Sequence, residues 1–250
     1  MQQSMPFTTL ASIIRIAHKY EADGILQAAT SRLESFLLAC RPGHWLHSAA
    51  PWEERWDLGQ QQCGIAFDLK DAVAAVNIVR LIEKPLLLPL ALYLCCLTDD
   101  VLSLRDGVRR ASERPEADVR DTLGDADFRC CVLALPVLSH QCHASVLRVL
   151  RAAMARTESF ALCRLRGACK AWIQEMFMDH AARDDGACRL DDLFVRLDRR
   201  VAPPAAFVQR SGALCPPCME RLLALSEEEC VEMRRRLPTF FALFELVGWQ

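Results

Sequence analysis

The chain carries no surplus of charge. Its 30 Lys and Arg stand against 32 Asp and Glu, a formal net charge of −2, so no global field draws it to nucleic acid or to an anionic membrane. It lacks a secretory opening: MQQSMPFTTL has no basic start, and Ile13, Ile14 and Ile16 are interleaved with polar residues instead of forming an apolar block. An intracellular protein of the cytoplasm or nucleus is expected. The apolar run at 86–97 is interrupted by Pro89 and is far short of the roughly 20 residues that span a hydrocarbon core, so no membrane partner is expected. There is no sustained alternation of apolar and polar residues and no fixed-period repeat, which argues against sheet-based and solenoid folds. Nucleophilic catalysis needs a nearby base and an oxyanion-stabilising backbone, and the Gly-x-Ser-x-Gly element that would supply such a setting is missing too, so no enzyme is expected.

What is present is a globular balance, with 52% AVILMFWYC and 25% charged residues over 250 positions. That length suits one large domain or two small ones. Thirteen cysteines stand out. An odd count rules out a complete intrachain disulfide set, and a reduced compartment with mostly packing thiols fits better.

Helical periodicity runs along most of the chain. Leu10, Ile13, Ile14 and Ala17 form one stripe with Thr8 or Thr9 placed to cap it, and Asp23 is placed to cap a second helix carrying Leu26, Ala29, Leu33, Phe36 and Leu37. The two read as a hairpin. Residues 42–64, with three tryptophans and no period, read as irregular. A third stripe joins Leu69, Ala72, Val73, Val76 and Val79 and ends at Lys84-Pro85, after which a buried helix starts near Pro89. Residues 105–121 are the most polar interval, expected to be an exposed connection with a short helix. Pro136 should kink or divide 128–140, ahead of a helix near 142–159 with Val146, Leu147, Leu150 and Met154 inward. Another candidate covers 168–182 with Trp172, Met176 and Phe177 inward, and a short helix is expected near 190–197, before the break at Val201-Ala202-Pro203-Pro204. Ser226-x-x-Glu229 has the form of a capping box opening a last helix that closes with Arg234–Arg236 before Leu237-Pro238, followed by a packing segment with Phe240, Phe241, Phe244 and Trp249. The expected fold is an all-α multi-helix bundle.

The order of segments resembles the region behind the BTB/POZ fold in fungal, mushroom-type BTB domain-containing proteins. The first hairpin looks like the closing helices of that fold, with Ile13, Ala17, Lys19, Tyr20, Leu26 and Leu33 as landmarks. Asn77, Arg80 and Leu81, followed by Leu87, Leu88, Pro89, Ala91, Leu92, Tyr93, Cys95 and Cys96, resemble the family's next helices. Further landmarks are Arg129-Cys130, Cys163 with Cys169, Leu214-Cys215-Pro216-Pro217-Cys218, and Arg234-Arg235-Arg236-Leu237-Pro238. The resemblance implies a terminal BTB-like hairpin at 1–40 and a helical C-terminal domain at 41–250, with a subdivision near 105–121. It also implies that most of the BTB fold is absent from this sequence. The function implied is a non-enzymatic scaffold or protein-interaction module with an unidentified protein partner. A substrate-adaptor role in ubiquitin ligation is a further alternative, weakened by the missing portion.

Chemistry is concentrated in Cys215-Pro-Pro-Cys218, whose spacing lets two thiolates meet one zinc ion or one another. A thioredoxin-like dithiol would need a strand-to-helix setting with an activated thiolate, and the helical surroundings do not provide one. A structural zinc site needs two more ligands. Cys163 and Cys169 are the best second pair because they occupy a position that the resemblance also marks. One structural zinc held by Cys163, Cys169, Cys215 and Cys218, in a zinc-stabilised structural or nucleic-acid-associated domain, stands beside the reading of four separate packing thiols. Cys95 and Cys96 read as core. His140, Cys142 and His143, near Cys130 and Cys131, match no closed-site spacing. His18 reads as a surface residue, the aspartate pairs at 99/100, 184/185 and 191/192 as caps or turns, and Arg164, Arg166, Lys170, Arg109 and Arg110 as solvated faces.

Overall fold

The computed structural model describes residues 4–39, 63–98, 101–109, 120–155, 163, 166–182 and 214–243. Among these are eight α-helices: α1 (Phe7–Lys19), α2 (Asp23–Ala39), α3 (Ala72–Leu81), α4 (Leu88–Cys96), α5 (Val101–Asp106), α6 (Asp125–Ala155), α7 (Arg166–Ala181) and α8 (Pro216–Phe240). The protein is all-α in class. Two pairs of two-residue strands accompany the helices: β1 (Met5–Pro6) parallel to β2 (Ile65–Ala66), and β3 (Val108–Arg109) antiparallel to β4 (Arg120–Asp121). Most of 42–64, the helix expected near 190–197, the break at 201–204, Phe244 and Trp249, the three aspartate pairs, Arg164 and Arg110 lie outside the described residues.

The described residues form two compact units. The first takes those within Met1–Arg41, Glu53–Leu135 and Arg235–Gln250, and the second those within Pro136–Arg234. In the first unit Leu10, Ile14 and Ala17 of α1 are buried, as are Ala29, Leu33, Phe36 and Leu37 of α2 and the Val73, Val76 and Val79 stripe of α3. Phe7, Phe36 and Phe67 cluster beside them, the Phe7 and Phe67 rings meeting edge to face at 5.0 Å and Phe36 lying 4.9 Å from Phe67. All nine residues of α4 are buried, so this helix shows no amphipathic face. Gly64, at φ 62°, sits where β1 joins β2, and its carbonyl accepts from the Met5 N–H at 2.9 Å and from Arg32 Nη2 at 2.6 Å. A Cβ there would come within 2.8 Å of that same Arg32 nitrogen.

Three helix ends close without glycine, whereas α5 is followed by Gly107 at φ 84°. Past α1, α3 and α8, Glu21, Glu83 and Ala242 take the left-handed conformation at φ 54°, 52° and 54°. In each case two N–H groups turn back onto the last turn: Ala22 to Ala17 O and Glu21 to His18 O, Lys84 to Val79 O and Glu83 to Arg80 O, Leu243 to Pro238 O and Ala242 to Thr239 O. This is the double bond of a Schellman closure, built on L-residues that strain to adopt it.

Five local expectations are corrected. Thr8 and Thr9 lie inside α1; Pro6 occupies the cap position and no side chain caps the end, because a proline there already sets the backbone angle. Asp23 is the first residue of α2, not its cap. Pro136 does not divide its segment: α6 runs unbroken for 31 residues, held by burial of Cys131, Ala134, Leu138, Cys142, Val146, Val149 and Leu150 along one side. Undivided, α6 is long and apolar enough to cross a membrane by length and composition, although that buried stripe is equally the pattern of a core helix. Ser226 opens no helix; it lies in the middle of α8 and is buried. In the polar interval at 105–121, where an exposed connection with a short helix was expected, β3 and β4 pair.

Candidate metal centre

The second unit has its own core of Val146, Val149, Leu150, Ala153, Trp172, Ile173, Leu214, Leu222 and Leu225, and four cysteines are part of it. Met176 and Phe177 pack against this core from α7, as the periodicity of that helix predicts. Two of the four cysteines come from the start of α8. The Cys215 carbonyl accepts from the N–H groups of Cys218 at 2.9 Å and Met219 at 3.0 Å, which makes Cys215 the residue that opens the helix. Pro216 and Pro217 fill the first turn, where a missing N–H costs nothing and a fixed φ favours helix. A step of three residues then places the Cys218 sulfur on the same side as that of Cys215. Cys169 comes from the first turn of α7, and Cys163 from a position outside any helix.

The four Sγ atoms lie within 4.8 Å of one another and all four residues are buried. Cys163 Sγ and Cys215 Sγ are 3.6 Å apart, too far for a disulfide of about 2.05 Å. A tetrahedron of Zn–S bonds of about 2.3 Å has sulfur–sulfur edges of about 3.8 Å, so this one spacing fits two sulfurs on a common metal as well as it fits the hydrogen bond from the Cys215 thiol to Cys163. The cluster is capable of coordinating a metal ion. With four protein sulfurs, no position is left for water or substrate, which is the arrangement of a structural and not a catalytic site.

Electrostatics set the conditions for such binding. Burial pushes the Cys169 thiol up, an effect opposed by the Cys215 N–H that points at its sulfur from 3.4 Å. Burial also pushes Cys218 up, reinforced by the neighbouring thiols of Cys163 and Cys215. Metal-free, these two thiols hold their protons. A divalent cation must displace them, and two helix N-termini then help to hold the negative charge: Cys169 lies in the first turn of α7 and Cys218 in that of α8.

Other sequence candidates separate. Among the described residues, these four cysteines are the convergent set of three or more potential metal ligands, and His140, Cys142 and His143 do not form a second. His143 instead stacks on His180 at 4.6 Å, both buried. Cys95 and Cys96 are core residues of the first unit, and the fold adds Cys131 to them: Cys96 Sγ lies 3.8 Å from the Cys131 carbonyl, and Cys131 Sγ lies 3.9 Å from that of Leu92. The neighbouring Cys95 and Cys96 thiols hold the Cys131 thiol below its usual range, against the effect of burial. His18 and Lys170 are exposed. Sequence reasoning also missed the contact of Ser145 and Arg148 with Glu229, where Ser145 Oγ and Arg148 Nε each donate to Glu229 Oε1 at 2.9 Å. Neither the thiol trio nor this polar contact has a local motif that would have revealed it.

No known protein family, curated protein or solved structure matches the chain.

Proposed function

We propose that the chain is a zinc-stabilised helical structural module, its second unit organised around one zinc ion held by Cys163, Cys169, Cys215 and Cys218. The observation that carries this reading is the convergence of four buried sulfurs within 4.8 Å of one another. The metal would tie the starts of α7 and α8 to Cys163 at a place where the apolar core alone would have to hold three chain segments together. Metal analysis of protein purified without added chelator tests it. About one zinc per chain is expected, with loss of helical signal or melting temperature when a strong chelator removes it. A substoichiometric trace of metal, or a melting curve that ignores the chelator, would sink the reading.

A second reading, a protein-interaction scaffold resembling the post-BTB part of fungal BTB proteins, is favoured by one feature of the first unit. Ile16, Tyr20 and Ile25, on α1 and α2 and the turn between them, keep 58%, 70% and 58% of their surface in water, more than a chain without partners has reason to expose at one end of a hairpin. Capture of partners from lysate by the full chain and by an Ile16→Asp/Ile25→Asp variant separates the cases: identical partner lists, or none, would end this reading.

A further inference from the structure

We propose that Cys163 and Cys215 are an oxidisable pair whose disulfide ejects the metal and takes over its tethering role. This rests on the zinc reading above. The two sulfurs stand 3.6 Å apart, so closure to a bond of about 2.05 Å requires an approach of about 1.5 Å, within reach of side-chain rotation with small backbone adjustment. The competing partners are less free to move. Cys169 and Cys218 belong to the first turns of α7 and α8, and Cys218 is further tied by its N–H to the Cys215 carbonyl. Cys163 belongs to no helix, so its sulfur is not fixed to a helical turn.

The co-reactant is a hydroperoxide, barely larger than water and able to enter through local opening of the site. The Cys215 sulfur attacks one peroxide oxygen; the S–O bond forms, the O–O bond breaks, and the departing hydroxide takes a proton to become water. The Cys163 sulfur then attacks the Cys215 sulfenic acid; the S–S bond forms, the S–O bond breaks, and a second water leaves after protonation. Two thiols lose two electrons and hydrogen peroxide gains them. The disulfide removes two of four ligands, so the remaining Cys169 and Cys218 cannot retain a tetrahedral ion. Cys163 and Cys215 are 52 positions apart, and the new bond joins two of the three segments that the metal had joined. The site is therefore a choice between two staples.

The test uses full-length protein whose zinc content is measured first, so that absent zinc counts against the metal reading alone. Zinc-loaded protein is titrated with hydrogen peroxide, released zinc is followed with a chromogenic chelator, and the cross-links are mapped by mass spectrometry without reduction. Zinc release in step with a Cys163–Cys215 cross-link is expected, approaching one per chain and reversed by a thiol reductant with added zinc. The oxidised protein should also melt above the reduced, chelator-stripped protein. Zinc retained at a peroxide dose that oxidises a free-thiol control, or release accompanied by Cys215–Cys218 or another pair as the main cross-link, would overturn the proposal. Repeating the mapping on metal-free protein judges the pair even where zinc binding fails, and absence of the Cys163–Cys215 link there counts against it equally.

Discussion

Arg80 grips Asp127 at two points: its Nη2 donates to Oδ1 at 2.6 Å and its Nε to Oδ2 at 3.2 Å, joining α3 to the first turn of α6. Asp127 is buried, while the Arg80 side chain is 52% exposed. Removing the guanidinium strands a buried carboxylate, but water reaches half of the pair and screens it. Arg80→Met should therefore cost about 1–2 kcal/mol, below the 3–5 kcal/mol or so typical of a fully buried pair. Arg80→Lys, which keeps the charge and loses the fork, should fall between. Urea denaturation measures both, and a methionine variant as stable as the parent would refute the assignment.

Ser226 supplies a test of opposite signs. Its hydroxyl is buried at 1% exposure with no hydrogen-bond partner among the described residues, so Ser226→Ala should raise stability by about 0.5–1 kcal/mol by removing an unsatisfied group from the middle of a helix. Were Ser226 the cap that the Ser-x-x-Glu pattern suggests, the same change would lower stability by about 1 kcal/mol. The direction of the shift in denaturation midpoint decides between them.

The left-handed helix closures can be improved at one position and damaged at another. Ala242 at φ 54° bears the steric cost of an L-residue, and Ala242→Gly should gain about 0.5 kcal/mol after the larger entropy loss of glycine is subtracted. Gly64→Ala should be destabilising, because φ is 62° and the new methyl would meet Arg32. Thermal melts of the two variants should move in opposite directions.

The cysteine cluster should respond to pH with opposite signs in its two states. In the metal-free, reduced protein, burial pushes Cys169 and Cys218 up, so the folded state keeps protons that an unfolded chain releases above about pH 8.5. The native state then binds more protons than the unfolded one, and stability falls as pH rises through that range. With zinc bound the thiol protons are already displaced, and acid drives the metal off, so stability falls as pH drops. Melting temperatures of both forms across about pH 5 to 9.5, kept anaerobic, check this; parallel curves would show that metal does not couple to these thiols.

Much of the helical fold was legible because each helix carries its own periodicity. Of the expected stripes, Leu10, Ile14 and Ala17 and Ala72, Val73, Val76 and Val79 are buried, while Ile13 and Leu69 are only half-buried, much as 3.6-residue spacing demands of a face turned to a core. The misreadings fall where local rules met packing. Pro136 removes a hydrogen bond from α6, yet the helix continues because burial on both sides of it outweighs one lost bond. Ser226 has the composition of a cap, yet the buried residues around it, Leu222, Leu225 and Cys230, carry α8 straight through.

The same division holds for the site. Cys215 and Cys218 belong together by sequence alone, since two residues between cysteines let both sulfurs meet one metal ion or one another; that a helix starts there is a finding of the structure. Meeting Cys163 and Cys169 was a different matter. The Cys163–Cys215 and Cys169–Cys215 approaches span 52 and 46 residues, and no local periodicity encodes a contact at that range. The same is true of Arg80 with Asp127 and of Cys96 with Cys131, 47 and 35 residues apart. Sequence determined which segments are helical and which faces are apolar, because those follow from near neighbours along the chain. Only the tertiary structure decided which faces meet, because that depends on burying all of them at once.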